Sequence, residues 1–268
     1  MERKYFKMGR KKGALWKADM IRALCTKKVL FSIAAMALFY GIAELQEKSW
    51  EDVCSIHSDV SISSFSVLAY VICAVPYVTG FCEDIEHRYI YQVLVRVKKW
   101  KYVLSKLTAI FISAFFTFFG GNILFLFLES LHYPLVDTTS SCYQYPLGGE
   151  ELASLLHSGQ YAAYFGICIF AWALLGGLLS VLAAYISLYL KNKIAVICTP
   201  MVVYYFGINF MEKYLGLSRR YNPMCVYDMF NNIMGSTTKS VLYAAGYTVT
   251  ALVILFMLCL YKIGRDYS

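Results

Sequence analysis

The chain has 268 residues, of which 59% are hydrophobic and only 16% charged, with a net charge of +8 and a mean hydropathy of +0.54. A soluble domain of this size is nearer about half apolar and about a quarter charged. That balance excludes an ordinary water-soluble globule and leaves little chain over for a soluble catalytic domain.

Residues 1–28 form a basic lead-in with ten Lys or Arg. Leu15, Trp16, Met20, Ala23 and Leu24 recur at helical spacing, with Lys17, Arg22 and Lys27 elsewhere. This predicts an amphipathic helix lying in the membrane interface. Six apolar stretches follow, at 29–46, 60–82, 107–128, 158–190, 194–211 and 240–261. About 20 apolar residues carry a helix across the hydrocarbon core. The first stretch ends near Glu44 and is expected to be a retained anchor, since the apolar run starts too late for a cleavable signal. Pro76 in the second and Pro200 in the fifth are expected to bend their helices. Gly120–Gly121 and Gly176–Gly177 are placed to let helices approach closely in lipid.

Between the second and third stretches, residues 83–107 contain neither Pro nor Gly. Ile85, Tyr89, Val93 and Val97 repeat every four residues, flanked by Ile90 and Leu94. Acids open the segment and bases close it, matching the helix dipole. This predicts one amphipathic helix, a basic turn, then Trp100 and Tyr102 at headgroup depth. Its apolar face needs cover from lipid, from its own bundle or from a partner's groove. Residues 212–239 are too apolar for a free loop and too broken for a span. They read as short helices dipping part-way into the opposite leaflet.

Lys and Arg number ten in residues 1–28, six in 83–106, two in 191–193 and two after 261, which is twenty of the 25. The positive-inside rule therefore predicts a multi-pass protein of a cell membrane with both termini cytoplasmic. The first two outer loops are acidic, with Glu44, Glu47, Glu51, Asp52 and Asp59, then Glu129, Asp137, Glu150 and Glu151. They also carry Cys54 and Cys142, between which spacing leaves a disulfide open. The basic charge is read as topology and contact with anionic membrane lipids, not as nucleic-acid binding.

No GxSxG, HExxH or paired-carboxylate helix occurs, and no GxxxxGK[ST] that could cradle ATP phosphates. His132 with Glu129 is read as a solvated loop pair, and no metal site is expected. Apart from Glu44, the spans read as free of ionisable groups, which argues against coupling to protons or sodium ions.

The arrangement resembles the permease subunits of ABC transporters, specifically the type 2 exporters of drugs, lantibiotics, polysaccharides and lipids. The resemblance covers nearly the whole chain. Its most specific part is 84–107, where Glu86, Arg88, Leu94, Arg96 and Lys106 are similar to the family's pattern, although the Gly and Pro often found inside that pattern are absent. Asn222–Pro223 before an apolar stretch is also similar.

The resemblance implies an all-α, single transmembrane domain over residues 1–268: six helices, an N-terminal interfacial helix, a cytoplasmic coupling helix and an outer re-entrant segment. It implies that Ile85, Glu86, Tyr89, Ile90 and Val93 contact a partner ATPase. Asn222, Pro223, Tyr227 and Phe230 would belong to the re-entrant segment. It also implies no cofactor in this chain, with ATP and Mg in cytoplasmic ABC ATPase subunits, and a second permease copy or paralogue beside it. The cargo would be apolar or amphipathic: a peptide, lipid or drug. The competing readings are a non-transporting immunity, sensor or scaffold component of a membrane, and a membrane enzyme with an unrecognised site.

Overall fold

The computed structural model describes residues 14–45, 52–63, 66–190, 192–206, 214, 216 and 218–267. The basic residues from Arg3 to Lys12, together with Glu47, Lys48, Glu51, Lys191 and Lys213, lie outside the described residues.

Among the described residues every regular element is a helix. In chain order these are α1 (Ala14–Leu24), α2 (Lys27–Glu44), α3 (Val53–Ile62), α4 (Ser66–Ala74), α5 (Gly80–Glu86), α6 (Tyr89–Leu94), α7 (Lys99–Glu129), α8 (Ser141–Gln144), α9 (Glu150–His157), α10 (Tyr161–Ile186), α11 (Lys193–Phe206), α12 (Pro223–Tyr227) and α13 (Thr237–Asp266). Single 3₁₀ turns cover Arg219–Tyr221 and Met229–Asn231.

Among the described residues three helices are long and apolar enough to cross a bilayer: α7, α10 and α13, with 31, 26 and 30 residues. Counting each of two bent pairs as one span raises the number to five. Of the six spans expected, the described residues show three to five. The stretch 29–46 becomes α2, which meets α1 at a 41° bend. The stretch 60–82 is broken, because Ser63 Oγ donates to Val60 O at 2.8 Å and its backbone turns extended, ending α3. The axes of α3 and α4 differ by 76°. Pro76 does not bend a helix. Without an N–H it cannot continue one, and α4 stops at Ala74. The stretch 194–211 yields α11, apolar but only 14 residues long with Pro200 inside it, and 207–211 lie outside the described residues.

The centre of the molecule is α10, buried almost along its whole length and packed against α4, α7, α11 and α13. Between helices in lipid the gain comes from close van der Waals contact, which small residues permit. A Cβ on Gly177 would stand 2.7 Å from the Phe111 ring, and one on Gly121 would stand 2.6 Å from Met36 Sδ. The paired glycines are therefore where α10 and α2 press against α7. By contrast α13 turns Leu242, Val249, Val253, Met257 and Tyr261 outward, an apolar face suited to lipid.

The connections gather at two ends. At the basic end, Cys82 Sγ donates to Ser187 O at 3.7 Å, Lys99 Nζ to Gly264 O at 3.4 Å, and Lys193 pairs with Glu86 at 2.5 Å. At the acidic end, Asp52 caps α3 by accepting from Ser55 N at 2.9 Å. Its other oxygen accepts from Asp137 N at 2.9 Å and Ser140 Oγ at 2.8 Å. Asp52, one of the acids of the first outer loop, is fully buried because these three donors replace its water.

Glu151 holds the start of α13 in the same way, accepting from Ser236 Oγ at 2.7 Å and Thr238 N at 3.1 Å. The Ser236 bond first, then the Thr238 N–H, holds the Glu151 carboxyl below its ordinary value of 4.5. A depressed carboxylate stabilises the fold at pH values above the unfolded value and loses that contribution as pH falls through the folded one. Glu151→Gln should therefore melt below the unaltered chain at pH 6, and the gap should close as pH falls from 4.5 toward 3. A gap that persists unchanged at pH 3 would contradict the assignment.

Candidate functional site: a buried charge cluster at the basic end

The inward face of α1 carries Leu15, Asp19, Arg22 and Ala23, the i, i+4, i+7, i+8 spacing of one helix face. Asp19 is 2% exposed, whereas Trp16, expected on the apolar face, is half exposed. The helix rolls so that Asp19, and not Trp16, meets the bundle.

Opposite it, the foot of α7 presents Tyr102, Ser105 and Lys106, neighbours at i, i+3 and i+4. Lys106 Nζ lies 3.2 Å from Asp19 Oδ1 and 2.9 Å from Asp84 Oδ2, and donates to Tyr77 Oη at 3.0 Å. Tyr77 Oη in turn donates to Asp19 Oδ1 at 2.9 Å, and Ser105 Oγ donates to Asp19 Oδ2 at 2.6 Å. Tyr102 Oη donates to Asp84 Oδ2 at 2.7 Å. All six side chains are buried. Arg22 lies near enough to feel both carboxylates and stacks over the Tyr89 ring at 5.5 Å. Two carboxylates thus face one ammonium in contact and one guanidinium nearby. A cavity of about 230 Å³ opens beside them, bordered by Arg22, Lys28, Pro76, Glu83 and Lys106.

Two sequence expectations change here. Lys106 was counted among the basic loop residues that set topology, one residue before the third apolar stretch. Lys106 is instead a buried cation within a membrane-length helix. Burial of an isolated ammonium costs so much that it occurs only with close counter-charges and hydrogen bonds, which Asp19, Asp84 and Tyr77 supply. Tyr102 is fully buried on Asp84 instead of anchoring at headgroup depth, while Trp100 stays 45% exposed with Lys101 over its ring at 5.4 Å.

The segment 83–97 is not one helix. It breaks between α5 and α6 at Arg88, whose backbone is left-handed at φ 55°. At 3.6 residues per turn, Ile90 and Val93 would sit about 240° and about 180° around a straight helix from Asp84. One straight helix could not send Asp84 to Lys106 and also bury Ile90 and Val93. The left-handed step at Arg88 allows both, against a cost of roughly 1–2 kcal/mol for a residue with a Cβ.

Of the five residues expected at a partner surface, Ile90 and Val93 are buried in the chain's own core, and Ile85 and Tyr89 are half-buried. Glu86 is exposed and paired with Lys193. Of the three covers open to the apolar stripe, its own bundle is the one found. The outward surface is made by Glu86, His87, Arg88, Tyr91, Gln92 and Val95, the last 88% exposed.

At the acidic end the expected re-entrant residues come together in short turns. Asn222 caps α12 by accepting from Met224 N at 3.1 Å, with Pro223 as its first residue. Tyr227 shares a 2.7 Å hydrogen bond with Thr248, and Phe230 is buried beside it. Cys54 and Cys142 are both buried free thiols. Glu129 lies near enough to Glu44 for the two carboxyl groups to feel one another. Among the described residues no group of three His, Cys, Asp or Glu side chains converges to hold a metal ion.

Comparison with protein-family models, with curated proteins and with solved structures finds no match. The reading of function therefore rests on the chain's own geometry. The cluster has no nucleophile set against a base, and its carboxylates are already engaged. What it does is tie three segments, α1, the 77–98 turn and the foot of α7, to one another.

Two signals in the sequence pointed to this. Asp19 is the sole acid between Lys4 and Lys28. Lys106 is the last cation before a long apolar run and stands four residues after Tyr102.

Proposed function

We propose that this chain is the membrane-spanning permease subunit of an ATP-driven exporter. It would move an apolar or amphipathic cargo across a membrane with energy from separate nucleotide-binding subunits. The observation that carries the reading is the α5–α6 segment. It presents a compact outward surface at the basic end, while Asp84 ties its other side to Lys106 at the foot of α7. A partner that pushes on this surface pushes on a membrane-length helix, because the ion pairs leave no slack between them. The N-terminal helix α1, joined through Asp19, would follow. This is the mechanical link that a pump driven from outside the membrane requires. A second copy or a paralogue would complete the path between the permeases.

The contact surface is taken as Glu86, His87, Tyr91, Gln92 and Val95, with Ile90 and Val93 as the anchors behind it. Full-length tagged chain, purified from native membranes, should bring down a nucleotide-binding subunit. Val95→Asp combined with Glu86→Lys should lower that recovery by about tenfold or more with the melting temperature held, as expected when a contact centre is made charged. Recovery of a different protein and no ATPase would favour a sensor, immunity or scaffold role. Turnover by the lone chain would favour an enzyme. Either result removes the exporter reading.

A further inference from the structure

Cys54 and Cys142 stand on separate connections at the acidic end, and their side chains are brought close. Cys54 lies in the first turn of α3, and Cys142 lies in α8. Asp52, two residues before Cys54, accepts from both Asp137 N and Ser140 Oγ, and Ser140 caps α8. Val53 N donates to Pro134 O at 3.0 Å. These bonds bring the backbones of α3 and α8 within 8 Å of each other. The two side chains lie near enough to feel one another, and Cys54 Sγ donates to Tyr164 Oη at 3.8 Å.

Two of the other buried thiols, Cys73 and Cys82, differ. Cys73 is turned to Tyr70 O, Gly176 O and Ser180, and Cys82 to Ser187 O and Leu190 O. Each has oxygen partners and no facing sulfur there.

We propose that Cys54 and Cys142 are a dithiol that a disulfide-bearing oxidant closes into a disulfide, pinning α3 to α8 at the acidic end. The neighbouring Cys54 holds the Cys142 thiol below its ordinary value, which makes Cys142 the first nucleophile. Its sulfur attacks one sulfur of the donor disulfide, forming a mixed disulfide and releasing the first donor thiolate. Cys54, losing its proton, then attacks the Cys142 sulfur and expels the second donor thiolate. Two thiols are oxidised, the donor disulfide takes two electrons, and the two protons leave with the donor thiols. Such bonds persist on the oxidising side of a membrane, so the inference rests on the reading that places the acidic end outside.

The test uses the full chain in its own membrane. Cells are quenched in acid, free thiols are blocked with a maleimide in detergent, and the protein is then reduced and labelled with a polyethylene-glycol maleimide. The expected result is a two-label shift in the unaltered chain, lost in Cys54→Ser and in Cys142→Ser and retained in Cys168→Ser. Digestion of the unaltered chain without reductant should yield a linked peptide pair containing Cys54 and Cys142, a readout independent of how the variants fold.

Absence of both the shift and the linked pair overturns the proposal. A Ser141→Cys probe in a chain carrying Cys54→Ser and Cys142→Ser then separates the causes. Labelling by a membrane-impermeant maleimide in intact cells means the dithiol inference alone has failed. Labelling only after permeabilisation means the orientation has failed with it.

Discussion

Lys106→Met should destabilise the folded chain by about 3–5 kcal/mol, the range for removing one partner from a buried ion pair. The loss comes less from the missing attraction than from what stays behind. Asp19 and Asp84, both buried, would keep two negative charges with Arg22 as the nearby positive group. Tyr77, Ser105 and Tyr102 would still donate to them, but hydrogen bonds alone do not offset two buried anions.

The same argument makes a second, sharper expectation. Adding Asp19→Asn and Asp84→Asn to Lys106→Met should recover most of the loss, because a neutral site of similar volume no longer contains an unpaired charge. Thermal unfolding in detergent measures both. If Lys106→Met left the melting temperature in place, the cluster would not be holding α1, the 77–98 turn and α7 together. The mechanical link proposed for the exporter would go with it.

Gly121→Val should cost about 1–3 kcal/mol, the usual penalty for forcing atoms into a filled interface. The first added carbon would lie 2.6 Å from Met36 Sδ and 2.8 Å from Met36 Cβ. The thioether can swing aside, but the Cβ is fixed to the α2 backbone, so α2 and α7 must separate. Helix pairs in lipid are held by close contact, and separation forfeits it along the whole seam. The control is Gly41→Ala in α2, where an added Cβ meets nothing within 4 Å. That change should be neutral or stabilising by up to about 1 kcal/mol, since it restores helix propensity without a clash. Unfolding midpoints of the two variants should move in opposite directions or differ by several degrees. Equal shifts would mean that the α2–α7 approach is not a tight one.

Much of the architecture was legible before any coordinates. The long apolar runs at 107–128, 158–190 and 240–261 appear as α7, α10 and α13, because a continuous apolar stretch has few other ways to satisfy its backbone. Gly121 and Gly177 sit where helices touch, as small residues in apolar runs suggest. The apolar stripe through Ile85, Tyr89, Ile90 and Val93 was read with the correct residues. What was not legible was its cover, since periodicity marks a face that needs burying and not the surface that buries it.

The break of 83–97 into α5 and α6 had no Gly or Pro to announce it. It follows from a demand that Asp84 meet Lys106 while Ile90 and Val93 turn inward, and that demand exists only once the helices are packed. The burial of Asp52 was not legible for the same reason: its donors Asp137 N and Ser140 Oγ come from a connection far along the chain.

Composition and hydropathy by themselves determined that this protein is helical, that several of its helices are of membrane length, and where chain charge concentrates. Those properties depend on each residue's own transfer free energy and on neighbours within a turn or two, which a sequence states directly. Tertiary structure alone decided which charges are buried, how Lys106 gathers Asp19 and Asp84 from two earlier segments of the chain, and that Cys54 and Cys142 are brought close. Each is a pairing between distant residues. Its energy depends on a few ångströms of separation in a medium of low polarity, a distance that no local pattern encodes.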